Sequence, residues 1–211
     1  MTLSEYTLLA ASSLFVILDP IATVPAFLAM TPNDTPAVRG RMAGLACGVA
    51  AGILVFFAFS GQVIFRLLGI TLPAFRMAGS LILLLVALDM VRAKRSTVQE
   101  TEEETRAGAD KQDIAITPLG IPMLAGPGAI STALLLRARA ETAAQHVALY
   151  LCIVVVCAAS YVVLRLSTHG ARWLGPIGMK ITTRVMGLLL AAVAFQFLID
   201  ALRDLKVLAP A

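Results

Sequence analysis

Two proline-rich segments sit inside long apolar runs, and their residue types suit the capture of a small charged solute. The first is Asp19-Pro20-Ile21-Ala22-Thr23-Val24-Pro25, and the second runs from Pro118 to Gly128 as PLGIPMLAGPG. A proline inside a helix removes an N–H donor and clashes with the preceding turn. In lipid every backbone group must still find a partner. Such segments therefore predict broken helices whose freed carbonyls face protein, water or a ligand. Gly126-Pro127-Gly128 places a proline where a new half-helix can begin. The N–H groups of Gly128, Ala129 and Ile130 would then point into the break, at the positive end of a helix dipole, a seat for a carboxylate. The first segment offers the same from Ala26, Phe27 and Leu28. Thr23, Ser131 and Thr132 add hydroxyl groups. The plainer alternative is a pair of proline kinks that only shape a helix bundle.

Ionisable groups inside an apolar run are costly and point to function by default. Asp19, at the first break, suits a substrate ammonium or a coupling cation, and equally suits a cap on the helix that follows. Gln196 and Asp200 lie four apart and share one helix face. The spacing puts Asp200 at the interface and Gln196 deeper, as a polar contact between helices. Asp89 and Arg92 read as an interfacial pair. Arg76 and Arg184 each open an apolar run, and their default role is to snorkel to the interface. The expected substrate-binding set is thus Asp19, Pro20, Thr23 and Pro25 at the first break, Pro118, Pro122, Gly126, Pro127, Gly128, Ala129, Ile130 and Ser131 at the second, and Gln196.

The elements that must position these residues follow from the apolar runs. The chain has 211 residues, 59% hydrophobic and only 14% charged, with a mean hydropathy of +0.87. Soluble domains carry about 25% charged residues. At roughly 20 residues per bilayer crossing, the runs predict six spans: Leu3 to Met30, Ala43 to Phe65, Leu72 to Val91, Ile114 to Leu136, His146 to Leu166 and Val185 to Leu202. The first is read as a retained helix rather than a signal peptide, because Glu5 is its only charge ahead of Asp19-Pro20. Between spans three and four lies a charged stretch, 94–113, read as a solvated cytoplasmic loop. Eleven of the 17 Lys and Arg fall in the connections after spans one, three and five. The excess predicts that side to be cytoplasmic and both termini to face outward. It also accounts for the net charge of +4 without nucleic acid as a partner.

The two halves resemble each other. The proline segments match in pattern, and Arg76-Met77-Ala78-Gly79 matches Arg184-Val185-Met186-Gly187, each ahead of a Leu/Val/Ala run. Three spans per half invert the second half relative to the first. The expected fold is an all-α membrane protein of six transmembrane helices in two inverted three-helix repeats, with helices 1 and 4 broken. Residues 1–93 form the first repeat, 94–113 the loop and 114–211 the second repeat. Gly40, Gly44, Gly48 and Gly52 form a stripe that lets helices approach closely in lipid, either within one bundle or between the copies of a homo-oligomer. Ala144, Ala148, Cys152 and Ser160 repeat the idea on span five. Cys47, Cys152 and Cys157 read as small buried residues, and neither His146 nor His169 adds a metal-binding spacing. The residues present no nucleophile–base pair and no Walker loop, so no enzyme and no cofactor is expected.

At these motifs the chain resembles the MarC family. The carriers of the resemblance are Asp19-Pro20-Ile21 through Pro25, the 118–130 segment, and Met186-Gly187-Leu188 with Gln196 and Asp200. Ala22 departs from the glycine usual after Pro-Ile or Pro-Leu, and the extra methyl is expected to narrow the first break. The resemblance implies a six-helix inner-membrane protein that transports small neutral amino acids such as glycine and alanine, coupled to a proton or sodium gradient. Two readings stand beside it: a non-transporting membrane scaffold or partner protein, and an exporter of another small solute.

Overall fold

The computed structural model describes residues 1–31, 34–92, 115–168 and 176–207, and those residues are helical throughout apart from short connections. The charged stretch 94–113 and His169 lie outside the described residues.

Helix α1, Leu3–Leu18, starts on a capping box: the Thr2 hydroxyl accepts from the Glu5 N–H, and the Glu5 carboxylate accepts from the Thr2 N–H. Asp19 ends it in the left-handed region, φ 40° and ψ 66°, a conformation that Asp tolerates better than most residues. Helix α2, Pro20–Met30, begins on the next residue. Pro20 is its first helical residue, so the new start expected just ahead of Ala26 lies more than a turn too late. Pro25 sits inside α2 and removes one N–H without ending it. Helix α3, Pro36–Leu68, has 33 residues. At 1.5 Å per residue it is about 50 Å long, well beyond the ~30 Å of a hydrocarbon core. Helix α4 spans Leu72–Arg92.

The Ala115–Leu124 segment is wound but irregular. Thr117 (φ −131°, ψ 120°) and Ile121 (φ −132°, ψ 125°) are extended, and each precedes a proline, which disfavours the helical region for the residue before it. Both Thr117-Pro118 and Ile121-Pro122 are cis. Helix α5, Pro127–Arg139, follows at a bend of 53°. Helix α6 is Ala143–Ser167 and α7 is Pro176–Asp204. Among the described residues five spans are long and apolar enough to cross a bilayer, and the bent pair counted as one brings the number to six. Large apolar side chains such as Leu8, Val16, Phe59, Leu67 and Leu166 face outward.

Packing crosses between the halves in a reciprocal way. α1 packs on α6, and the 115–124 segment packs on α3. α2 packs on α6 and α7, while α5 packs on α3 and α4. The pair α3 with α6, and the more extensive pair α4 with α7, complete the bundle. One core joins Tyr6, Leu14, Leu54, Leu119, Leu124 and Ile153. A second joins Ala26, Ala29, Leu83, Val86, Leu190 and Ala194. Gly187 is needed here: a side chain on it would run into the Ala87 carbonyl and Val91 of α4.

The glycine stripe divides. Gly40 abuts the Arg165 guanidinium and Gly44 the Tyr161 ring, but Gly48 and Gly52 face open space. The buried face of α3 is carried instead by Ala43, Ala46, Ala50, Leu54 and Ala58. At one end of the bundle Arg39 is 5% exposed. Its Nε and Nη2 donate to the Thr31 carbonyl at 2.9 and 2.6 Å, and Nη1 donates to that of Thr168 at 3.3 Å. It thus ties the ends of α2 and α6 to the start of α3.

Candidate functional site

The second break opens into a cavity of about 270 Å³. Ile17, from the end of α1, and Phe197 of α7 form its apolar wall. Gly128 and Thr132 bring in the start of α5. Arg76 of α4, with Asp200, Arg203 and Asp204 of α7, supplies two cations and two anions. Gly128 is 11 residues from the end of α5 at Arg139, about 17 Å along the axis and so roughly halfway through a hydrocarbon core. The end of α5 lies beside the N-terminus, since the Tyr6 hydroxyl donates to the Leu136 carbonyl at 2.9 Å. The cavity therefore reaches from mid-bundle toward the side where α1 begins and α7 ends.

Gly128 sets its inner dimension. A methyl group there would stand 3.1 Å from the Phe197 ring and 3.2 Å from Ile17. Pro127 is the first residue of α5, after Gly126 in extended backbone with no side-chain cap. Gly126 has no room for a side chain against the Pro122 carbonyl. The Ser131 hydroxyl donates to the Pro127 carbonyl at 2.6 Å and accepts from Arg76 Nε at 3.0 Å. Arg76 Nη1 reaches Asp204 Oδ2 at 2.5 Å. Asp200 Oδ1 accepts from Gln196 Nε2 at 2.8 Å and lies 3.8 Å from Arg203.

The other expected residues lie elsewhere. The Ile130 N–H donates to the Gly126 carbonyl at 3.0 Å and so does not point into the break. Ala129 and Ile130 are buried in the core beside the cavity. Pro118 and Pro122 are buried in the 115–124 segment, which packs on α3 near Ala46 and Val49. Asp19 is exposed and does not line the cavity: its Oδ1 accepts from the Ala22 N–H at 3.1 Å, the capping role. Pro20 and Thr23 are buried, Pro25 is half-buried, and the Thr23 hydroxyl donates to the Asp19 carbonyl at 2.9 Å. Ala22 is exposed, so its methyl narrows nothing in the cavity. The two half-helix starts are therefore unequal. That of α2 carries its own carboxylate, whereas that of α5 is open.

Arg76, Phe197, Arg203 and Asp204 were not among the expected site residues. Arg76 does not snorkel free; it pairs with Asp204, 128 residues away. The available signal was an arginine inside a span, which calls for a partner of opposite sign. Among the described residues no group of His, Cys, Asp and Glu is placed to hold a metal.

Comparison with known proteins agrees with the apolar, multi-helix architecture. Residues 4–206 match the model of the MarC family integral membrane proteins. A UPF0056 membrane protein of Aquifex aeolicus is 38% identical over 92% of this chain and 90% of its own length. One from Methanocaldococcus jannaschii is 35% identical over 94% of this chain and 97% of its own. The Escherichia coli UPF0056 membrane protein YhcE is 28% identical over 91% of this chain and 89% of its own. No solved structure matches. With the whole helical body matched from α1 to the end of α7, the chain belongs to the MarC family of integral membrane proteins.

Proposed function

We propose that this protein is a secondary transporter of small neutral amino acids of the glycine and alanine kind, a carrier rather than an enzyme, driven by a proton or sodium gradient. The observation that supports this most is the cavity beside Gly128. Its volume of about 270 Å³ falls just below the roughly 300–1,000 Å³ of pockets that hold drug-sized ligands. Its lining pairs both signs of charge with a short apolar wall, which suits a zwitterion bearing a hydrogen or methyl side chain.

Alternating access then rests on two inverted repeats. The reciprocal packing supports them, because exchanging the halves maps α1 on α6 onto the 115–124 segment on α3, and α2 on α6 and α7 onto α5 on α3 and α4. Asp19-Pro20 and Gly126-Pro127 add support, each a cap residue followed by a first-turn proline. Breaks in helices 1 and 4 would serve as hinges between the halves. The family resemblance supports the inner (plasma) membrane as its location, and the excess of lysine and arginine after spans one, three and five supports both termini facing outside.

The test is uptake of radiolabelled glycine and alanine into proteoliposomes under imposed proton or sodium gradients. Gradient-dependent uptake that vanishes in Gly128→Trp is the expected result. Uptake unchanged by that substitution would move the site away from the second break. No flux in either direction from folded protein would favour the scaffold.

A further inference from the structure

The cavity holds an arginine whose partner has the chemistry of the solute. Arg76 lies in the first turns of α4, in an apolar run where an unpaired charge is expensive. Its guanidinium has five N–H donors in a planar fork. One goes to Ser131 Oγ at 3.0 Å and one to Asp204 Oδ2 at 2.5 Å. The Ser131 proton points to the Pro127 carbonyl, so its lone pair faces Arg76. Asp204 holds the guanidinium through a single oxygen, and its side chain is 47% exposed against 23% for Arg76. A one-pronged, half-exposed pair is weaker than the two-pronged grip that a free carboxylate can make on the same fork. Asp200 also lines the cavity. One of its oxygens is shared by Gln196 and, at longer range, Arg203.

We propose that Arg76 is the anchor for the carboxylate of the solute, and that Asp204 is an internal stand-in that occupies Arg76 while the cavity is empty. The inference rests on the cavity being the solute site. A carboxylate arriving from the side of the termini takes the Arg76 fork and releases Asp204. The ammonium then faces Asp200, and the side chain lies toward Gly128, Phe197 and Ile17. The same exchange undoes the ion pair between α4 and α7, so binding and loosening of that helix pair are one event. The ligand class is a small α-amino acid, or any small monocarboxylate that fits. Asp204 competes with the ligand, so removing it must tighten binding, whereas removing a simple structural pair would not.

The experiment measures binding of radiolabelled alanine to purified protein in nanodiscs, with acetate and alaninamide as competitors. Acetate is expected to compete and alaninamide is not. Arg76→Gln is expected to weaken binding at least about tenfold, the scale of one lost hydrogen bond to a charged group. Arg76→Lys, which keeps the charge without the fork, should fall between. Asp204→Asn should tighten binding several-fold, and it decides the matter alone if Arg76→Gln does not fold. Unchanged affinity in Arg76→Gln overturns Arg76 as the anchor, and no tightening in Asp204→Asn overturns the stand-in, each while leaving transport intact. Competition by alaninamide equal to acetate overturns carboxylate anchoring alone. No binding of alanine or acetate by any variant, Asp204→Asn included, overturns both this inference and the amino acid reading.

Discussion

The ring of Pro127 fills the space that a side chain on Gly79 would occupy. This contact and the Arg76–Ser131 hydrogen bond run side by side: Gly79 is three positions after Arg76 on α4, and Ser131 four positions after Pro127 on α5. Each interval returns to the same helix face. The close approach at Gly79 is thus what lets Arg76 reach across to α5. Gly79→Ala must push the two helices apart, at a cost of about 1–3 kcal/mol for overpacking. Thermal unfolding in detergent should show it, with Gly52→Ala as the comparison, since nothing lies within 4 Å of that position. Equal midpoints for the two variants would mean that the contact does not hold α4 and α5 together.

Size selection should follow from the Gly128 wall. A methyl at 128 stands 3.1–3.2 Å from two flexible side-chain ends, which can yield a few tenths of an ångström. Gly128→Ala should therefore reduce alanine uptake more than glycine uptake, not abolish both. Phe197→Ala should shift preference toward larger side chains. Competition against labelled alanine by glycine, serine and valine measures both effects, and an unaltered order of competitors would place the selecting wall elsewhere.

Arg39 should be among the least replaceable residues of the bundle. Its loss leaves two carbonyls, Thr31 and Thr168, without these donors, at about 1–3 kcal/mol for each one left unsatisfied. Arg39→Met keeps the apolar stem and removes the fork, so any destabilisation reports the hydrogen bonds rather than packing. Arg39→Lys should restore little, because one ammonium does not reproduce the fork that grips Thr31. Stability equal to wild type in both variants would show that the carbonyls find other donors.

A milder effect is expected at the other end. Tyr6 is fully buried, and its hydroxyl donates to Leu136. Tyr6→Phe removes one neutral hydrogen bond, worth about 0.5–1.5 kcal/mol. A small drop in unfolding temperature with full uptake is the expected pair of readings; loss of uptake at unchanged stability would instead make Tyr6 part of the transport path.

Much of this architecture was legible because hydropathy reports depth. Runs of about 20 apolar residues marked the spans, and Pro127 announced the start of α5 by the rule that suits proline to a first helical position. The same rule applied to Pro20 places α2 correctly, and of the two roles open to Asp19 the structure shows the cap. What hydropathy does not carry is which helix neighbours which. Arg76 and Asp204 meet across 128 residues of chain, and no local periodicity encodes such a pair. The outward face of Gly48 and Gly52 was hidden for the same reason: spacing every four residues marks a helix face, not what the face meets.

The reciprocal packing has a consequence for how the protein is made. α2 finds its place against α6 and α7, and α5 finds its place against α3 and α4. During synthesis the N-terminal half leaves the ribosome first, yet α1 and α2 lack the partners that bury them until the C-terminal half has been inserted. Until then the lipid itself, or an insertase, must shelter Tyr6 and the other side chains of the unfinished core. Assembly is therefore a step of the complete chain, and a ribosome that stalls near the middle leaves a fragment suited to disposal by membrane proteases.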